Sequence, residues 1–387
     1  MYQTAEPVYR WHKANQQFLI NRQPLATVGM VWSQQNTDFY GRDDPETLVE
    51  LPWRGLTQAL IRSRIPYLPV HADDITRDGA QFSLLVLPNL AAMSDAQVEA
   101  VRDFVKRGGG LLATGQSSLF DEWGQPRSDF ALADLFRVHL VKPESGEETV
   151  RKKRAAETHH TYLRLLPELR AKINGPEVGN EPAASGARHS VLDGFDQTDI
   201  LPFGGVLDEL KLDIAAEVHL TFVPEFPIYP PETSWMREPK TNIPGLVLNT
   251  NSGGPVAFLP ADLDRRFARD NLPDHGRLLA NVVHWAANHR IPLSVTGPGL
   301  IDCHLYRQQE RVILHLVNLT NAGTWRQSID ELIPVGPIGV AVELPQGVRE
   351  GHAKLLVSGQ KVLASRSAGW LCFQIKSILD HEVVVIG

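Results

Sequence analysis

The sequence predicts an α/β protein in which a doubly wound parallel sheet is followed by a small all-β sandwich. Short apolar segments alternate with helical segments in the first part of the chain, which is typical of a parallel sheet covered on both faces. Glycines 108–110 separate one such helical segment from a short apolar strand. Glycine adopts the left-handed conformation that ends helices, so this tight helix-to-strand turn is the second half of a βαβ unit. Beyond Ile291, short strands follow one another without a long helix, which is typical of an all-β domain.

Composition limits the function before any motif is considered. The 387 residues are 43% hydrophobic and 21% charged, which is ordinary for a globular protein of two or three domains. The net charge of −7 and the lack of a basic face argue against nucleic-acid binding. No run of 18 apolar residues and no signal-peptide pattern occurs, so we expect a cytoplasmic protein without a membrane partner. Cys303 and Cys372 lie in apolar strand-like segments and are predicted to be buried free thiols.

The N-terminal elements are predicted from periodicity and helix-capping signals. Residues 8–20 form an amphipathic helix that needs a larger body to pack against. Asp44-Pro45 is a helix start, with an N-cap followed by proline at the first helical position. Ser94 and Gln97 have the spacing of a capping box. These signals predict strands at 26–32, 67–70, 83–87 and 111–113, and helices at 44–64 and 94–106.

The middle of the chain is less regular. Between 141 and 189 the periodicity decays, which predicts an irregular, solvated insertion with one helix at about 161–173. Strands are predicted again at 217–223, 245–249 and 255–259, with a hairpin at Gly253-Gly254 between the last two. A polar loop at 260–270 then precedes a helix that starts at Pro273.

The last part of the chain carries six predicted strands, at 301–306, 312–319, 338–344, 353–357, 370–375 and 382–386. The chain therefore divides into a leading helix at 1–25, an α/β domain at 26–292 and a β-sandwich at 293–387.

Three polar loops, at 34–44, 114–123 and 260–270, are predicted to meet at one edge of the sheet. Each follows the carboxyl end of a strand, and ligands bind at that edge of parallel sheets. The candidate ligand-binding residues are Tyr40, Arg42, Gln116, Ser117, Glu122, Asp262, Asp264 and Arg265. Together they could form a polar pocket for a sugar or another hydroxyl-rich ligand. Alternatively, the crevice is filled by its own hydrogen bonds and ion pairs, by a partner subunit, or by the stiff segment 226–232.

No residue is assigned a catalytic role, and no metal or cofactor is expected. Ser117 and Ser118 could be nucleophiles only if His275 approached them, and they lack the GxSxG elbow. Asp262, Asp264 and His275 match no metal-ligand spacing. Asp264 fits better in an ion-pair network with the two arginines that follow it. Sugar binding through Trp325 or Trp370 of the β-sandwich is a further alternative, although the strand pattern places Trp370 in the core.

Two extended segments carry a resemblance to a known family. The segment GGGLLATGQSSLFDEWG, followed by LADLF, resembles the middle, trimerisation domain of family-42 β-galactosidases. The resemblance begins at Val28-Gly29 and continues through YLPV and LLVLPNL. The segment VAFLPADLDRRFARDNLPDHGRLLANVVHWA is similar to the end of that domain in glycoside-hydrolase-like proteins, where a small β-domain follows. The leading VYRWHKANQQFL is similar to the last helix of the (β/α)₈ barrel that precedes the domain there.

This resemblance implies a flavodoxin-like fold, similar to class I glutamine amidotransferases, and self-association as a trimer. It argues against glycosidase activity, because the family's two catalytic carboxylates lie in the barrel, which has no counterpart here. It also argues against amidotransferase activity, because the turn at 114–118 (TGQSS) lacks the nucleophilic cysteine. The expected function is a non-catalytic accessory region that associates with itself; a carbohydrate and a barrel-bearing protein are further candidate partners. The alternative is a stand-alone carbohydrate-active hydrolase that uses the crevice.

Overall fold

The computed structural model describes residues 2–141, 153–155, 160–169, 188–321, 331–348 and 352–387. The chain divides into two compact units. We call Val28–Ala59 with Pro69–Arg290 the α/β unit, and Met1–Thr27 with Leu60–Leu68 and Ile291–Gly387 the β unit. None of the described helices is long and apolar enough to cross a membrane.

The helices predicted at 94–106 and from Pro273 are confirmed, whereas the helix predicted at 8–20 begins at Tyr2 and the one predicted at 44–64 becomes a regular α-helix only at Leu51. The α-helices of the described residues are numbered in chain order. They are α1 (Tyr2–Leu19), α2 (Leu51–Arg62), α3 (Ile75–Asp78), α4 (Asp95–Lys106), α5 (Ala133–Phe136), α6 (Leu263–Asp270) and α7 (Pro273–Ala286). The predicted capping box of α4 is confirmed. Gln97 N donates to Ser94 Oγ (3.2 Å), and Ser94 N donates to Gln97 Oε1 (3.0 Å). Two free N–H groups at the helix start are thereby satisfied.

The first fourteen strands are β1 (Gln23–Pro24), β2 (Val28–Trp32), β3 (Tyr67–His71), β4 (Leu84–Leu87), β5 (Gly110–Thr114), β6 (Val138–Leu140), β7 (Lys153–Ala155), β8 (Tyr162–Leu165), β9 (Ile200–Pro202), β10 (Leu207–Asp208), β11 (Leu210–Leu212), β12 (Glu217–Val223), β13 (Pro244–Asn249) and β14 (Val256–Leu259). The remaining strands are β15 (Leu293–Thr296), β16 (Ile301–Gln308), β17 (Arg311–Asn318), β18 (Ile338–Glu343), β19 (Ala353–Leu355), β20 (Lys361–Val362), β21 (Ser365–Ser367), β22 (Trp370–Ile375) and β23 (His381–Ile386).

One large sheet of nine strands forms the α/β unit's centre, in the order β3-β2-β4-β5-β14-β13-β12-β8-β9. Strands β2, β4, β5 and β14 are parallel, as predicted. From β14 onward each strand is antiparallel to its neighbour, so the sheet is mixed and the prediction of a parallel sheet is wrong for this half. The reason is the hairpin between β13 and β14, because so short a connection can join only antiparallel neighbours.

Two other predictions in this unit need correction. The helix predicted at 161–173 is instead β8, which pairs with β12 and buries Leu163 and Leu165, and residues 170–173 lie outside the described part of the chain. The loop predicted at 260–270 contains α6, which buries Leu263 and Phe267 one helical turn apart and ends at Asn271 in the left-handed conformation (φ 53°). Of the predicted insertion, residues 142–152, 156–159 and 170–187 lie outside the described ranges.

In the β unit, two antiparallel sheets contribute to one apolar core. The sheets are ordered β1-β16-β17-β23-β19-β20 and β15-β18-β22-β21. Leu314 and Val384 of the first sheet share a buried cluster with Val340 and Phe373 of the second. All six strands predicted beyond residue 300 are confirmed to within two residues. The described chain is therefore mixed α/β, with one large mixed sheet and several smaller antiparallel sheets.

Four residues in the last part of the chain were also singled out from the sequence. Cys303 is a buried free thiol as predicted, whereas Cys372 is free but only partly buried. Trp370 is half-buried and not a full core residue, and Trp325 lies outside the described residues.

Candidate functional site

A cavity of about 300 Å³ opens in the α/β unit where the parallel strands end. Asn89 follows β4, Gly115 and Gln116 follow β5, and Pro260 and Asp262 follow β14. The described residues that line it are Tyr40, Asp44, Thr47, Leu48, Pro52, Asn89, Gly115, Gln116, Val206, Asp208, Pro260, Asp262 and Arg265. The carboxyl edge of the sheet therefore forms the concave site that the loop positions predict.

Two π-helical turns form one side of the cavity, at Asn36–Tyr40 and Glu46–Glu50. Such turns are rare and occur often at functional sites. The first is held by the buried Asn36, whose Oδ1 accepts from Ala92 N (2.9 Å) and whose Nδ2 donates to Asn89 O (3.3 Å). The turn is thereby fixed to the loop after β4, and Tyr40 at its end faces the cavity.

A closed hydrogen-bond network joins Tyr40, Asn89 and Gln116. Tyr40 OH donates to Gln116 Oε1 (3.1 Å) and accepts from Asn89 Nδ2 (3.1 Å). Gln116 N donates to Asn89 Oδ1 (2.8 Å). Gly115 has φ +57°, and a Cβ there would lie 2.5 Å from Asn89 Oδ1, so this position requires glycine. The three side chains are therefore held in place before any ligand arrives.

Asp208 extends this network from β10. Gln116 Nε2 donates to Asp208 Oδ2 (2.6 Å). Asp208 is 7% exposed, and its Oδ1 has no hydrogen-bond partner among the described residues. Buried polar atoms are nearly always hydrogen-bonded, because an unpaired one loses its water without compensation. Asp208 is therefore a buried carboxylate of the lining with one oxygen that no described residue satisfies.

The lining also contains an ion pair at the start of α6, between Arg265 and the N-cap residue Asp262. Arg265 Nε donates to Asp262 Oδ2 (2.6 Å), and Val206 N donates to Asp262 Oδ1 (2.9 Å). Only 6% of the Arg265 side chain and 13% of the Asp262 side chain are exposed. Burial raises the pKa of Asp262 to about 7, although Arg265 favours the ionised form. A Cβ on Gly205 would lie 2.0 Å from Asp262 Oδ1, so only glycine allows this approach.

Of the eight predicted residues, Tyr40, Gln116, Asp262 and Arg265 line the cavity, and two others lie behind its wall. Ser117 is buried, with its Oγ 2.8 Å from Thr114 O and 3.1 Å from Leu87 O. Asp264 is 1% exposed; it accepts from Thr114 Oγ1 and from Arg265 N, and burial raises its pKa. Both side chains hold the strand ends together and do not reach the cavity.

Arg42 and Glu122 are not among the described residues that line the cavity, so the predicted convergence is wrong for them. The Arg42 side chain is 77% exposed and faces Asp43, with Nε 3.6 Å from Oδ1. Glu122 lies in a surface turn in which Asp121 Oδ1 accepts from Trp123 N (3.0 Å) and Gln125 N (2.8 Å).

The structure bears on three alternatives raised from the sequence: a cavity plugged by segment 226–232, a serine–histidine pair and a metal site. Segment 226–232 contributes none of the described lining residues, so it does not plug the cavity. His275 is fully buried and not exposed as expected; its Nε2 lies 2.7 Å from Pro202 O, and burial lowers its pKa. It therefore gives Ser117 no base at hydrogen-bond distance. No group of three or more potential metal-ligating side chains occurs among the described residues.

Asn89 and Asp208 were missed by the sequence analysis. Asn89 could have been found, because it follows the apolar strand β4 in the same way that Gln116 follows β5. Asp208 had no such signal. It lies in a two-residue strand, β10, and the partner of that strand, β7, belongs to the region without periodicity. The assembled site offers a phenol ring, two amides, carboxylates and a guanidinium, which can both donate and accept hydrogen bonds.

No known protein family matches this chain, and no curated protein matches it. Solved structures do. α-L-Fucosidase isoenzyme 2 from Paenibacillus thiaminolyticus is 17% identical, with a TM-score of 0.69 over 98% of this chain and 51% of its own. A β-galactosidase from Bacillus circulans sp. alkalophilus is 12% identical, with a TM-score of 0.58 over 97% of this chain and 44% of its own. Gan42B, a GH42 β-galactosidase from G. stearothermophilus, is 14% identical, with a TM-score of 0.55 over 93% and 40%.

The chain thus spans about half the length of these solved proteins or less. Identities this low show similarity of fold. The chain has a fold that is found within solved glycoside hydrolases, a fucosidase and β-galactosidases among them.

Proposed function

We propose that this chain is the non-catalytic accessory region of a glycoside-hydrolase-like protein, and that its cavity binds carbohydrate. In this proposal the α/β unit is an amidotransferase-like trimerisation domain with a flavodoxin-like fold, and the β unit is a β-sandwich. The similarity of fold to a fucosidase and to β-galactosidases supports the relationship.

The observation that carries the carbohydrate proposal is the network around Gln116. The side-chain amide of Gln116 accepts a hydrogen bond from Tyr40 OH (3.1 Å) and donates one to Asp208 Oδ2 (2.6 Å). Three polar groups are therefore oriented together. A sugar needs donors, acceptors and an aromatic surface in fixed positions, and the cavity contains all three. Because the groups are already ordered, little conformational entropy is lost on binding.

D-Galactose and L-fucose are the first probes, since the similar structures are named as enzymes for these sugars. We expect one of them to bind with a Kd roughly between millimolar and micromolar, about 4 to 8 kcal/mol. Gln116→Ala should weaken binding about tenfold, which corresponds to about 1.4 kcal/mol, because it removes an amide and releases Tyr40 and Asp208. Calorimetric titration or ligand-observed NMR measures the change.

Gln125→Ala is the matched control, because Gln125 is an exposed amide on the surface turn that follows the same strand. It should bind the sugar as the wild type does. The carbohydrate proposal is wrong if neither sugar binds at tens of millimolar (roughly the weakest range of interest), or if the two glutamine variants lose affinity equally. Thermal melts establish that both variants are folded.

Self-association is the second part of the proposal, and we expect a homotrimer. The resemblance to a trimerisation domain supports it, and α1 exposes Val8 (66%) and Tyr9 (74%), apolar surface that another copy could cover. Light scattering after size exclusion should give a mass of about three times the 43.0 kDa of one chain. A 43 kDa species at micromolar concentration would contradict this part and leave the sugar site untouched.

A further inference from the structure

We propose that a second cavity of the α/β unit binds an uncharged, planar aromatic molecule, with Trp32 and Trp53 as the side chains that contact its ring. This cavity has a volume of about 360 Å³ and lies beyond β2 and β4; we call it the switch-point cavity. It is separate from the proposed sugar cavity around Gln116, because no described residue lines both. Each of the two π-helical turns contributes residues to both cavities, and such turns occur often at functional sites.

The switch-point cavity lies where the order of the strands in the large sheet reverses. From β2 the chain passes to β3 on one side, and it then returns to the other side of β2 to form β4. Trp32 is the last residue of β2, Pro88 directly follows β4, and both line the cavity. In open sheets, ligands bind beyond the carboxyl ends of the parallel strands at such a reversal. Because β2 and β4 are parallel, the topology favours a ligand site at this position.

Two tryptophans give this cavity an aromatic lining. Trp32 is 42% exposed, although the other four residues of β2 are buried. Its ring contacts His71 edge to face, with 4.7 Å between the ring centroids, and this contact restricts its orientation. Trp53 reaches the same cavity from α2. An indole ring that is held in place before a ligand arrives can contact an aromatic ring at little cost in conformational entropy.

The charges of the lining favour an uncharged ligand. Among the described lining residues, the charged side chains are those of Glu50 and Arg54, which have opposite signs and lie one helical turn apart. Arg54 Nη2 lies 3.7 Å from Glu50 Oε2, so the two groups pair with each other. The described lining therefore leaves no charge for an ionic ligand to match.

The uncharged polar side chains of the lining offer a ligand few free hydrogen-bonding groups. Both polar atoms of the Asn36 amide are bonded to backbone groups, as described above. Ser33 Oγ donates to Gln35 Oε1 (2.9 Å), and Thr57 Oγ1 is buried out of reach of a ligand. Thr37 carries the remaining hydroxyl of the described lining. A sugar would lose the water on most of its hydroxyls without replacement, whereas a flat aromatic ring gains from contact with the apolar residues.

The test compares 2-naphthol with decahydro-2-naphthol, which has the same carbon skeleton and hydroxyl group but is saturated and not planar. Both are uncharged at about pH 7, well below the pKa of about 10 of a phenol. We expect the wild type to bind 2-naphthol with a Kd roughly between millimolar and micromolar. It should bind the saturated molecule about fivefold more weakly, because contact between aromatic rings adds to the burial of apolar surface. Calorimetric titration measures both Kd values.

Trp32→Leu keeps an apolar side chain and removes the ring, so the preference for 2-naphthol should fall to about twofold or less. Trp123→Leu is the matched control, because Trp123 is 63% exposed in the same unit and is not among the described lining residues. This variant should keep the wild-type ratio of Kd values. An excess of D-galactose should leave both Kd values unchanged, since the two cavities share no described lining residue.

Equal Kd values in the wild type overturn the aromatic preference, and a lack of binding up to the solubility of 2-naphthol overturns the inference altogether. Displacement of 2-naphthol by D-galactose, or an equal loss of preference in Trp123→Leu, contradicts the assignment to the switch-point cavity. None of these results decides whether D-galactose or L-fucose binds, so the proposed carbohydrate site is tested separately. Should Trp32→Leu fail to fold, Trp53→Leu takes its place, and the comparison of the two molecules on the wild type needs neither variant.

Discussion

Replacing Gly55 with alanine is expected to lower the free energy of unfolding of the α/β unit by about 3 kcal/mol or more. Gly55 of α2 contacts α6 so closely that a Cβ would lie 1.8 Å from the backbone oxygen of Asp264. Backbone cannot rotate away as a side chain can, so the two helices must separate. Because the first turn of α6 carries Asp262 and Arg265, we also expect sugar binding to be lost.

Urea unfolding followed by circular dichroism measures this effect. Gly79→Ala is the matched control, because a Cβ there would lie 3.4 Å from Phe104 Cδ2, an ordinary van der Waals contact. Its effect should stay within about 1 kcal/mol. Equal unfolding midpoints for the two alanine variants would show that α2 and α6 are not in close contact at Gly55.

The second large effect is expected from Arg64→Met, which should destabilise the β unit by about 3 kcal/mol. Arg64 is 9% exposed, and Nη1 donates to Val295 O (3.1 Å). Nη2 lies within hydrogen-bond distance of three further carbonyls, those of Gly297 (2.7 Å), Pro298 (3.1 Å) and Gly299 (2.9 Å). Methionine has a similar volume, but it has no N–H groups, so these backbone carbonyls lose their hydrogen-bond donor.

Arg64→Lys should lie between the wild type and Arg64→Met, because an ammonium keeps the charge but cannot span the same set of carbonyls. Arg77→Met serves as the control, since Arg77 is 70% exposed and pairs with Asp74 and Asp78 on the surface. Surface pairs of this kind contribute about 0 to 1 kcal/mol. If Arg64→Met melts at the same temperature as Arg77→Met, the guanidinium does not stabilise the turn.

Much of the α/β unit could be predicted because its signals are local. The strand β4 is four apolar residues bounded by polar and proline residues, and the capping box of α4 spans only four positions. The helix α6 could not be predicted in this way. Its Asp264, Arg265 and Arg266 have the composition of an exposed loop, yet all three are buried. Asp264 accepts a hydrogen bond from the distant Thr114, and the two arginines pair with Asp262 and Asp270 beside them in the sequence, which offsets the loss of water.

The site shows the same division. Polar residues after several predicted parallel strands were enough to predict that Gln116 and Asp262 approach one edge of the sheet. Which neighbouring side chains join them depends on the packing of the whole unit: Glu122 is not among the described lining residues, whereas Asp208 lines the cavity from a two-residue strand paired with β7. The spacing of polar and apolar residues within a segment reflects the hydrogen bonding and burial of that segment alone. Contacts between segments that are far apart in the chain depend on which surfaces pack together. The residue pattern of one segment therefore does not predict which distant segment it contacts.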